Sequence, residues 1–259
     1  MTLKVLDLFS GIGGFSLGLE RTGGFETVAF CEIEKFPQKV LKKNWPKVPI
    51  YEDVTKLTAD IIRQDRIEAN VITGGFPCQD LSSAGKRGGI EAERSGLWSE
   101  IVRLVSDLRP DFVIIENVAD LLVGPTEQHG QWFCKVLTDL AQCGYDAEWE
   151  NIPSCALGGW SIRERVWVLA YPNENRLQGL RPISQFYPTT GARLQAERLQ
   201  IYKTNYDGLC SGIWTADAGR VFGMDNELSD RSHRIAALGN TVDPRIVEMI
   251  GGAILRSLQ

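Results

Sequence analysis

The stretch that decides the fold reads KVLDLFSGIGGF and runs from Lys4 to Phe15. An apolar run that ends at Phe9 leads into clustered glycines, and apolar residues at helical spacing follow over residues 15–22. Glycines at such a point allow a sharp turn and let a ligand come close to the backbone. The pattern therefore predicts a strand, a tight turn and a helix. On this motif alone, a cofactor loop and a plain tight turn explain the glycines equally well.

Strands and helices alternate along the chain as far as Ala170. The further predicted strands are Thr27–Cys31, Asn70–Thr73, Asp111–Glu116, Glu148–Ile152 and Arg165–Ala170. The helices predicted between them are Pro37–Asn44, Leu97–Leu108 and Gln131–Gln142. This alternation predicts an α/β fold with a mostly parallel sheet that is flanked by helices on both faces.

The composition of the sequence changes after Tyr171. Polar residues, prolines and glycines dominate up to about Asp225 with little periodicity, which indicates a small irregular lobe. An apolar helix from Pro244 to Leu258 closes the chain, with proline at a helix start, where its missing N–H costs nothing. We expect a main domain over residues 1–170, a small lobe over 171–234, and a C-terminal segment over 235–259 that returns to the main domain.

Composition excludes several classes of protein. With 259 residues, 43% of them hydrophobic, the chain can form one substantial core, and no apolar stretch approaches the roughly 20 residues that cross a bilayer. No apolar signal region follows Met1, so we expect a cytoplasmic protein that does not bind membranes. The six cysteines form no C-x-x-C pair and there are only two histidines, so we expect no metal and mostly buried thiols.

The net charge of -5 excludes a surface coated in basic residues. The charge is uneven, however, because residues 172–206 contain five basic and two acidic residues. A locally positive segment suits contact with the phosphates of a nucleic acid.

A thiol and a carboxyl group follow consecutive predicted strands. Cys78 comes after a proline in the loop GGFPCQDLS, residues 74–82, and Glu116 ends the next strand. Ligands of open α/β sheets collect at the carboxyl ends of the strands, so we expect both groups on one rim. Taken alone, Cys78 is better explained as an inert buried thiol, because free cysteines are among the residues most often buried.

This pair suits methylation at C5 of cytosine, a carbon that is a weak nucleophile until another nucleophile adds at C6. The Cys78 thiolate could make that addition, and Glu116, with a pKa raised by partial burial, could donate a proton or strong hydrogen bond to N3. The activated C5 would attack a sulfonium methyl group. Loss of the C5 proton and of Cys78 would then restore the aromatic ring.

Three further charged residues are candidates for the site. Arg163 and Arg165 are two apart on a predicted strand, so both should point to one face, where they could grip a base carbonyl or phosphates. An exposed, salt-bridged run of charges is their alternative interpretation. Glu32 ends the second strand, where an acid typically binds ribose hydroxyls, although a solvated carboxylate at a helix start is also possible there.

In their order, these motifs resemble those of the cytosine-C5 DNA methyltransferase family. The resemblance covers nearly the whole chain apart from the lobe, and Pro77-Cys78-Gln79 and Glu116-Asn117-Val118 are its most specific features. It implies a Rossmann-like, S-adenosylmethionine-dependent enzyme of the bacterial or phage modification type. The implied reaction passes through a covalent adduct between Cys78 and C6 of a flipped-out cytosine. The resemblance also implies that the lobe is a small target-recognition region.

The resemblance also implies roles for individual residues. Cys78 is the nucleophile, Glu116 engages N3, and the two arginines support the site. Glu32 holds the ribose, Asp53 contacts the adenine amino group and Phe9 packs on the adenine. The implied cofactor-binding residues are Asp7, Phe9, Ser10, Gly11, Gly13, Glu32, Ile33, Asp53, Val54 and Asn240. The last of these belongs to the segment Gly239-Asn240-Thr241-Val242, which resembles a late motif that returns beside the cofactor loop.

The expected partner is double-stranded DNA, with a cognate restriction endonuclease as a further candidate and a monomer as the acting form. Three alternatives remain open at this point. The first is a cytosine-C5 methyltransferase that acts on transfer RNA. The second is a DNA-binding relative with weakened catalysis, suggested by the short lobe and by Ser161 where a glutamine commonly stands. The third, a Rossmann oxidoreductase, fits poorly because Ser16 occupies the position of a third glycine.

Overall fold

The computed structural model describes residues 2–76, 96–124, 129–157, 163–174 and 240–258. Within these ranges the strands are β1 (Leu3–Leu8), β2 (Phe25–Cys31), β3 (Ile50–Tyr51), β4 (Val71–Gly74), β5 (Phe112–Val118), β6 (Tyr145–Pro153) and β7 (Glu164–Pro172). The helices are α1 (Gly14–Arg21), α2 (Lys35–Asn44), α3 (Ala59–Gln64), α4 (Gly96–Leu108), α5 (Gln131–Gln142) and α6 (Pro244–Ser257). Cys78 and nearly all of the predicted lobe lie outside the described residues.

The strands form one sheet in the order β3-β2-β1-β4-β5-β7-β6. The pairs β1–β2, β2–β3, β1–β4 and β4–β5 are parallel, whereas β7 is antiparallel to both of its neighbours. Because α5 carries the chain from β5 to β6 as a crossover, a gap is left between these two strands, and β7 fills it. The prediction of a mostly parallel sheet is confirmed, with β7 as the exception.

Helices cover both faces of this sheet, as predicted. Successive residues of β1 point to opposite faces, so that Val5 packs in one apolar cluster and Leu6 in the other. The cluster around Leu6 includes residues of α3, α4 and α5, and the cluster around Val5 includes residues of α1 and α6. The buried strands therefore read as nearly continuous apolar runs.

The chain turns from one half of the sheet to the other between β1 and β4. From β1 the sheet extends through β2 and β3 on one side and through β4 and β5 on the other. The helices that follow β1 and β4 thus diverge, which opens a crevice at the carboxyl ends of these strands. The candidate site lies along this edge.

Two short elements, β3 and α3, differ from the sequence prediction, which left residues 50–64 without regular structure. β3 has two residues, too few for a periodic pattern. α3 has six residues and begins after Thr58, whose hydroxyl accepts a hydrogen bond from the Ile61 N–H at 3.3 Å.

The prediction of mostly buried thiols is wrong for the described cysteines. Cys31 is buried, but Cys134 is exposed, and Cys143 and Cys155 are only partly buried. Cys134 lies on α5, whose buried side is formed by Trp132, Phe133, Val136 and Leu140. None of the helices that the structure describes is long and apolar enough to span a bilayer.

Candidate active site

Glu116 lies near the carboxyl end of β5, and its side chain is almost fully buried. Its Oε1 lies 2.9 Å from Nε of Arg165, which β7 places beside the end of β5. Burial raises the pKa of Glu116, while the positive charges of Arg165 and Arg163 oppose this shift. The result is a carboxyl group that favours its protonated form more than an exposed glutamate does.

The loop that contains Cys78 leaves the sheet beside this carboxyl group. A Cβ added to Gly75 would lie 3.4 Å from Oε2 of Glu116, so the start of this loop runs within contact distance of the carboxyl group. The buried Asn117 side chain donates a hydrogen bond from Nδ2 to the Phe76 carbonyl at 3.3 Å. β5 therefore fixes the chain two residues before Cys78, which itself lies outside the described residues.

Arg163 comes from the residue before β7 and reaches the same side of the strand as Arg165. Its Nη1 donates to the Thr241 carbonyl at 2.9 Å, which ties it to the C-terminal segment. Burial lowers the pKa of Arg163, and the nearby Arg165 charge lowers it further. Glu164, between the two arginines, is exposed, as the alternation of side chains along a strand requires.

The glycine loop after β1 adopts an unusual backbone. Phe9, Gly11 and Gly13 all have positive φ, at 53°, 53° and 88°. A left-handed conformation is uncommon for a phenylalanine and often marks a functional position. A Cβ added to Gly11 would meet no atom within 4 Å, so there is open space above the loop. The loop offers its backbone to a ligand.

Glu32 and Ser10 hold this loop against the end of β2. The two oxygens of the buried Glu32 carboxylate accept the N–H groups of Gly11 at 2.7 Å and of Glu34 at 2.8 Å. The Ser10 hydroxyl accepts the Cys31 N–H at 3.2 Å. Burial raises the pKa of Glu32, although the two N–H donors oppose the shift. The loop conformation is thus set by hydrogen bonds to the neighbouring strand.

Asp7 lies beneath the loop rather than facing it. Its carboxyl group is completely buried and accepts hydrogen bonds at 2.8 Å from the Ser16 hydroxyl on α1 and from the Thr73 hydroxyl on β4. Burial raises the pKa of Asp7 to about 7 despite these two donors. In the sequence, Ser16 stands out only as a missing glycine, and Thr73 belongs to no recognisable motif. No local pattern connects three residues on different elements.

A depression of about 390 Å³ lies beside the ends of β2 and β3. Asp53, Ile33 and apolar residues of the following segment line it. The Asp53 carboxylate accepts hydrogen bonds from the Thr55 hydroxyl and N–H at 2.7 and 3.0 Å, which lowers its pKa. Val54 does not line the depression, because its side chain is buried in the core and its carbonyl accepts a hydrogen bond from Arg103.

The C-terminal segment packs directly on the start of α1. A Cβ added to Gly14 would lie 2.6 Å from Oγ1 of Thr241 and 2.8 Å from Cγ2 of Val242, so only glycine allows this approach. Val242 is buried there, whereas Asn240 is exposed. The segment that fixes Arg163 therefore also contacts the glycine loop.

These features fit a nucleoside-like ligand. The open space above Gly11, the depression and the Glu32 carboxylate lie along one edge of the sheet. By contrast, the described part of the chain contains no group of three His, Cys, Asp or Glu residues that could hold a metal ion.

The known proteins to which this chain is similar are methyltransferases. The family model for C-5 cytosine-specific DNA methylases matches residues 3–215. Type II methyltransferase M2.BsuMI of Bacillus subtilis is 34% identical over 172 residues, which cover 65% of this chain and 42% of the relative. M.CviJI of a Paramecium bursaria Chlorella virus is 34% identical over 171 residues, covering 66% and 43%. The chain thus spans less than half the length of these relatives.

Solved structures show the same Rossmann-like methyltransferase fold. A crystal structure described as a prophage-encoded DNA modification methyltransferase from E. coli is 29% identical, with a TM-score of 0.57. The match covers 67% of this chain and 47% of that chain. Spodoptera frugiperda DNMT2 matches with a TM-score of 0.53 at 22% identity, over 68% of this chain and 51% of its own, which shows likeness of fold alone.

Proposed function

Because the chain belongs to the C-5 cytosine-specific DNA methylase family, we propose that it transfers a methyl group from S-adenosylmethionine to C5 of a cytosine in double-stranded DNA. One observation carries the proposal. The buried Glu116 carboxyl group lies against Gly75, at the start of the loop that contains Cys78. A proton donor beside the chain that leads to a nucleophile is what addition to a pyrimidine requires.

In the proposed reaction, the Cys78 thiolate adds to C6 of the cytosine and forms a C–S bond. The electron pair displaced from the ring moves toward N3, where Glu116 donates its proton or a strong hydrogen bond. S-adenosylmethionine supplies an electrophilic methyl group on its sulfonium. C5 takes up this methyl group and S-adenosylhomocysteine is released. A base then removes the C5 proton, the Cys78 thiolate leaves and N3 returns its proton to Glu116, which restores the aromatic ring and frees the enzyme.

Arg165 and Arg163 act on this chemistry through Glu116. The ion pair with Arg165 fixes the orientation of the carboxyl group, and Arg163 connects the same region to the C-terminal segment through Thr241. A stacked cytosine cannot reach a site at the edge of a sheet, so the base must flip out of the duplex at a cost of a few kcal/mol.

The chain's residues fit the adenosyl portion of the methyl donor. Each Glu32 carboxylate oxygen accepts one backbone N–H and keeps a further lone pair for a ribose hydroxyl. In this proposal Asp53, in the wall of the depression, accepts from the adenine amino group, and Phe9 packs on the ring. Gly11 and Gly13 leave room for the ligand. The cofactor site that we propose also includes Asp7, Ser10, Ile33, Val54 and Asn240. Of these, Asp7 and Val54 support the site from beneath and do not face the ligand.

Relatives named as Type II methyltransferases support a role in DNA modification. We extend the proposal to a cytoplasmic protein that acts as a monomer, and to a cognate restriction endonuclease that cuts the same site when it is unmethylated.

The test is methyl transfer from labelled S-adenosylmethionine to duplex DNA or to transfer RNA. We expect label on DNA cytosine, loss of transfer with Cys78→Ser, and wild-type transfer with Cys134→Ser, which removes an exposed thiol on α5. Label on transfer RNA alone would overturn the choice of substrate. Equal activity of Cys78→Ser and the wild type would overturn the mechanism.

A further inference from the structure

One exposed side of α2 and the turn after it concentrates positive charge. Between residues 35 and 51 the sequence has five lysines and no acidic residue, although the whole chain has a net charge of -5. All five lysines are exposed, and they are Lys35, Lys39, Lys42, Lys43 and Lys47. Lys35 forms an ion pair with Glu52. We call the other four the α2 lysine face.

Among the residues that the structure describes, no lysine of the α2 lysine face forms an ion pair. Every ion pair found there that involves a lysine uses Lys4, Lys35, Lys56 or Lys135. Lys42 helps to lower the pKa of Glu52, which already pairs with Lys35, and Lys47 lines a depression that also contains Glu26 and Glu68. The positive charge of the face is therefore compensated only in part. Such a region attracts polyanions and concentrates them near the protein.

The α2 lysine face is presented on a rigid support. On the opposite side of α2, the buried Gln38 side chain donates to the Glu32 carbonyl at 2.6 Å. Just after the helix, Trp45 donates from Nε1 to Glu20 at 2.9 Å and packs edge-on against Phe30 at 5.4 Å. Both ends of the basic segment are thus fixed to β2 and α1, so the lysines project from a defined platform.

Helix stability does not explain this arrangement. Lys42 and Lys43 lie in the last turn, where a cation interacts favourably with the helix dipole. Lys39 lies earlier in the helix, and Lys47 lies beyond its end. Moreover, Lys39 is three and four residues from Lys42 and Lys43, a spacing at which like charges destabilise a helix. The repulsion between these lysines lowers the stability of α2, so we interpret the charge pattern as a surface for an external anion.

We propose that the α2 lysine face binds the phosphates of duplex DNA beside the target cytosine, an inference that rests on the proposed function. From Lys39 to Lys43 the helix rises about 6 Å, which matches about two base pairs at about 3.4 Å each, and Lys47 follows in the turn after the helix. α2 follows β2 in the chain, and β2 is three strand spacings, or about 14 Å, from β5, the strand that carries Glu116. The contacts therefore fall on flanking phosphates and add affinity without reading sequence.

Duplex DNA fits this surface better than an anionic membrane does. Helices that bind membranes place lysines on one side and exposed apolar residues on the other, so that the apolar side can insert into the lipid. The apolar side of α2 is instead buried, with Leu41 completely enclosed. The helix can offer only its charges.

The test compares the wild type with a variant carrying Lys39→Gln, Lys42→Gln, Lys43→Gln and Lys47→Gln. Binding to a labelled duplex is measured by fluorescence anisotropy over a series of salt concentrations. Each lost phosphate contact should reduce the slope of log K against log salt by about 0.9, so we expect a change of about 2 to 4 and at least about a tenfold loss of affinity at low salt. Replacing the same four lysines by arginine should preserve both quantities.

Three controls make the outcome decisive. The double variant Lys39→Gln/Lys43→Gln should lose more DNA affinity than Arg21→Gln/Lys135→Gln, which removes two exposed charges from α1 and α5. Binding of S-adenosylhomocysteine should be equal in all variants if they are folded. If the fourfold glutamine variant binds S-adenosylhomocysteine normally but keeps the wild-type salt slope for DNA, the inference is wrong. It is also wrong if that variant loses binding to phosphatidylserine vesicles while its DNA binding is unchanged. Absence of wild-type methyl transfer to DNA, by contrast, would count against the proposed function.

Discussion

Nε of Arg165 lies 2.9 Å from Oε1 of Glu116, and this ion pair joins the ends of two antiparallel strands, β7 and β5. The pair is buried on the glutamate side, where desolvation favours the protonated carboxyl group while the guanidinium favours the carboxylate. The balance between these two effects sets how readily Glu116 gives up a proton.

Replacing Glu116 by glutamine should lower kcat by about 10²- to 10⁴-fold, the usual effect of losing a positioned proton donor. The amide can hydrogen-bond but cannot transfer the proton that N3 requires. Single-turnover methyl transfer to duplex DNA measures this effect. Glu164→Gln is the matched control, since it removes an exposed carboxylate from the neighbouring strand, and its rate should stay close to that of the wild type.

Replacing Arg165 by glutamine should move the alkaline limit of activity to higher pH. Arg165 lowers the pKa of Glu116, so its loss raises that pKa, and the protonated, active form persists to higher pH. The pH profile of single-turnover transfer tests this, together with a reduced rate because the carboxyl group is less well oriented. Arg165→Lys keeps the charge and should leave the alkaline limit nearly in place. If the pH profile of Arg165→Gln coincides with that of the wild type, Arg165 does not affect the pKa of Glu116.

A duplex with 5-fluorocytosine at the target should trap the protein covalently. Fluorine at C5 cannot leave as a proton, so the adduct between Cys78 and C6 persists after methyl transfer. The measurement is a shifted band on a denaturing gel that requires S-adenosylmethionine. Cys78→Ser should give no such band, whereas Cys134→Ser should give the wild-type amount. A trapped band in the Cys78→Ser protein would assign the nucleophile elsewhere.

Replacing Asp7 by asparagine should flatten the dependence of stability on pH between pH 4 and 7. The folded-state pKa of Asp7 is raised to about 7 from 3.8, so the stability that its proton contributes is fully present below pH 3.8 and is lost as pH rises through about 7. The loss amounts to at most about 4 kcal/mol, from about 1.4 kcal/mol for each pH unit. Urea unfolding at several pH values measures it.

The control for this experiment is Asp53→Asn. The pKa of Asp53 is lowered in the folded state, so its contribution is present above pH 3.8 and declines only as pH falls below that value. This substitution should therefore leave the neutral range unchanged. If Asp7→Asn and the wild type lost stability in parallel from pH 4 to 7, Asp7 would not be the group responsible.

Replacing Gly14 by alanine should destabilise the protein by about 1 to 3 kcal/mol, because the new Cβ would overlap Thr241 and Val242. Since the same segment holds Arg163, methyl transfer should fall as well. Denaturant midpoints and transfer rates measure the two effects. Gly96→Ala is the matched control, since its Cβ meets nothing within 4 Å at the first residue of α4, and it should be neutral or slightly stabilising.

The candidate catalytic residues could be proposed from sequence because each lies next to a local pattern. Glu116 ends an apolar run, and parallel strands bring their carboxyl ends to one edge, so its place in the fold follows from the alternation of strands and helices. The Asp7 network could not be proposed in this way. It joins β1, α1 and β4 through Ser16 and Thr73, and the separation of 66 residues between Asp7 and Thr73 leaves no local trace.

By itself, the sequence determined the α/β class, the glycine turn after β1 and the edge of the sheet on which Glu116 lies, because these depend on local periodicity and on the direction shared by parallel strands. Only the tertiary structure decided that β7 lies between β5 and β6, and that Arg165 consequently meets Glu116. Strand pairing is a non-local choice made by the whole sheet, and apolar runs of similar composition do not encode which of them become neighbours.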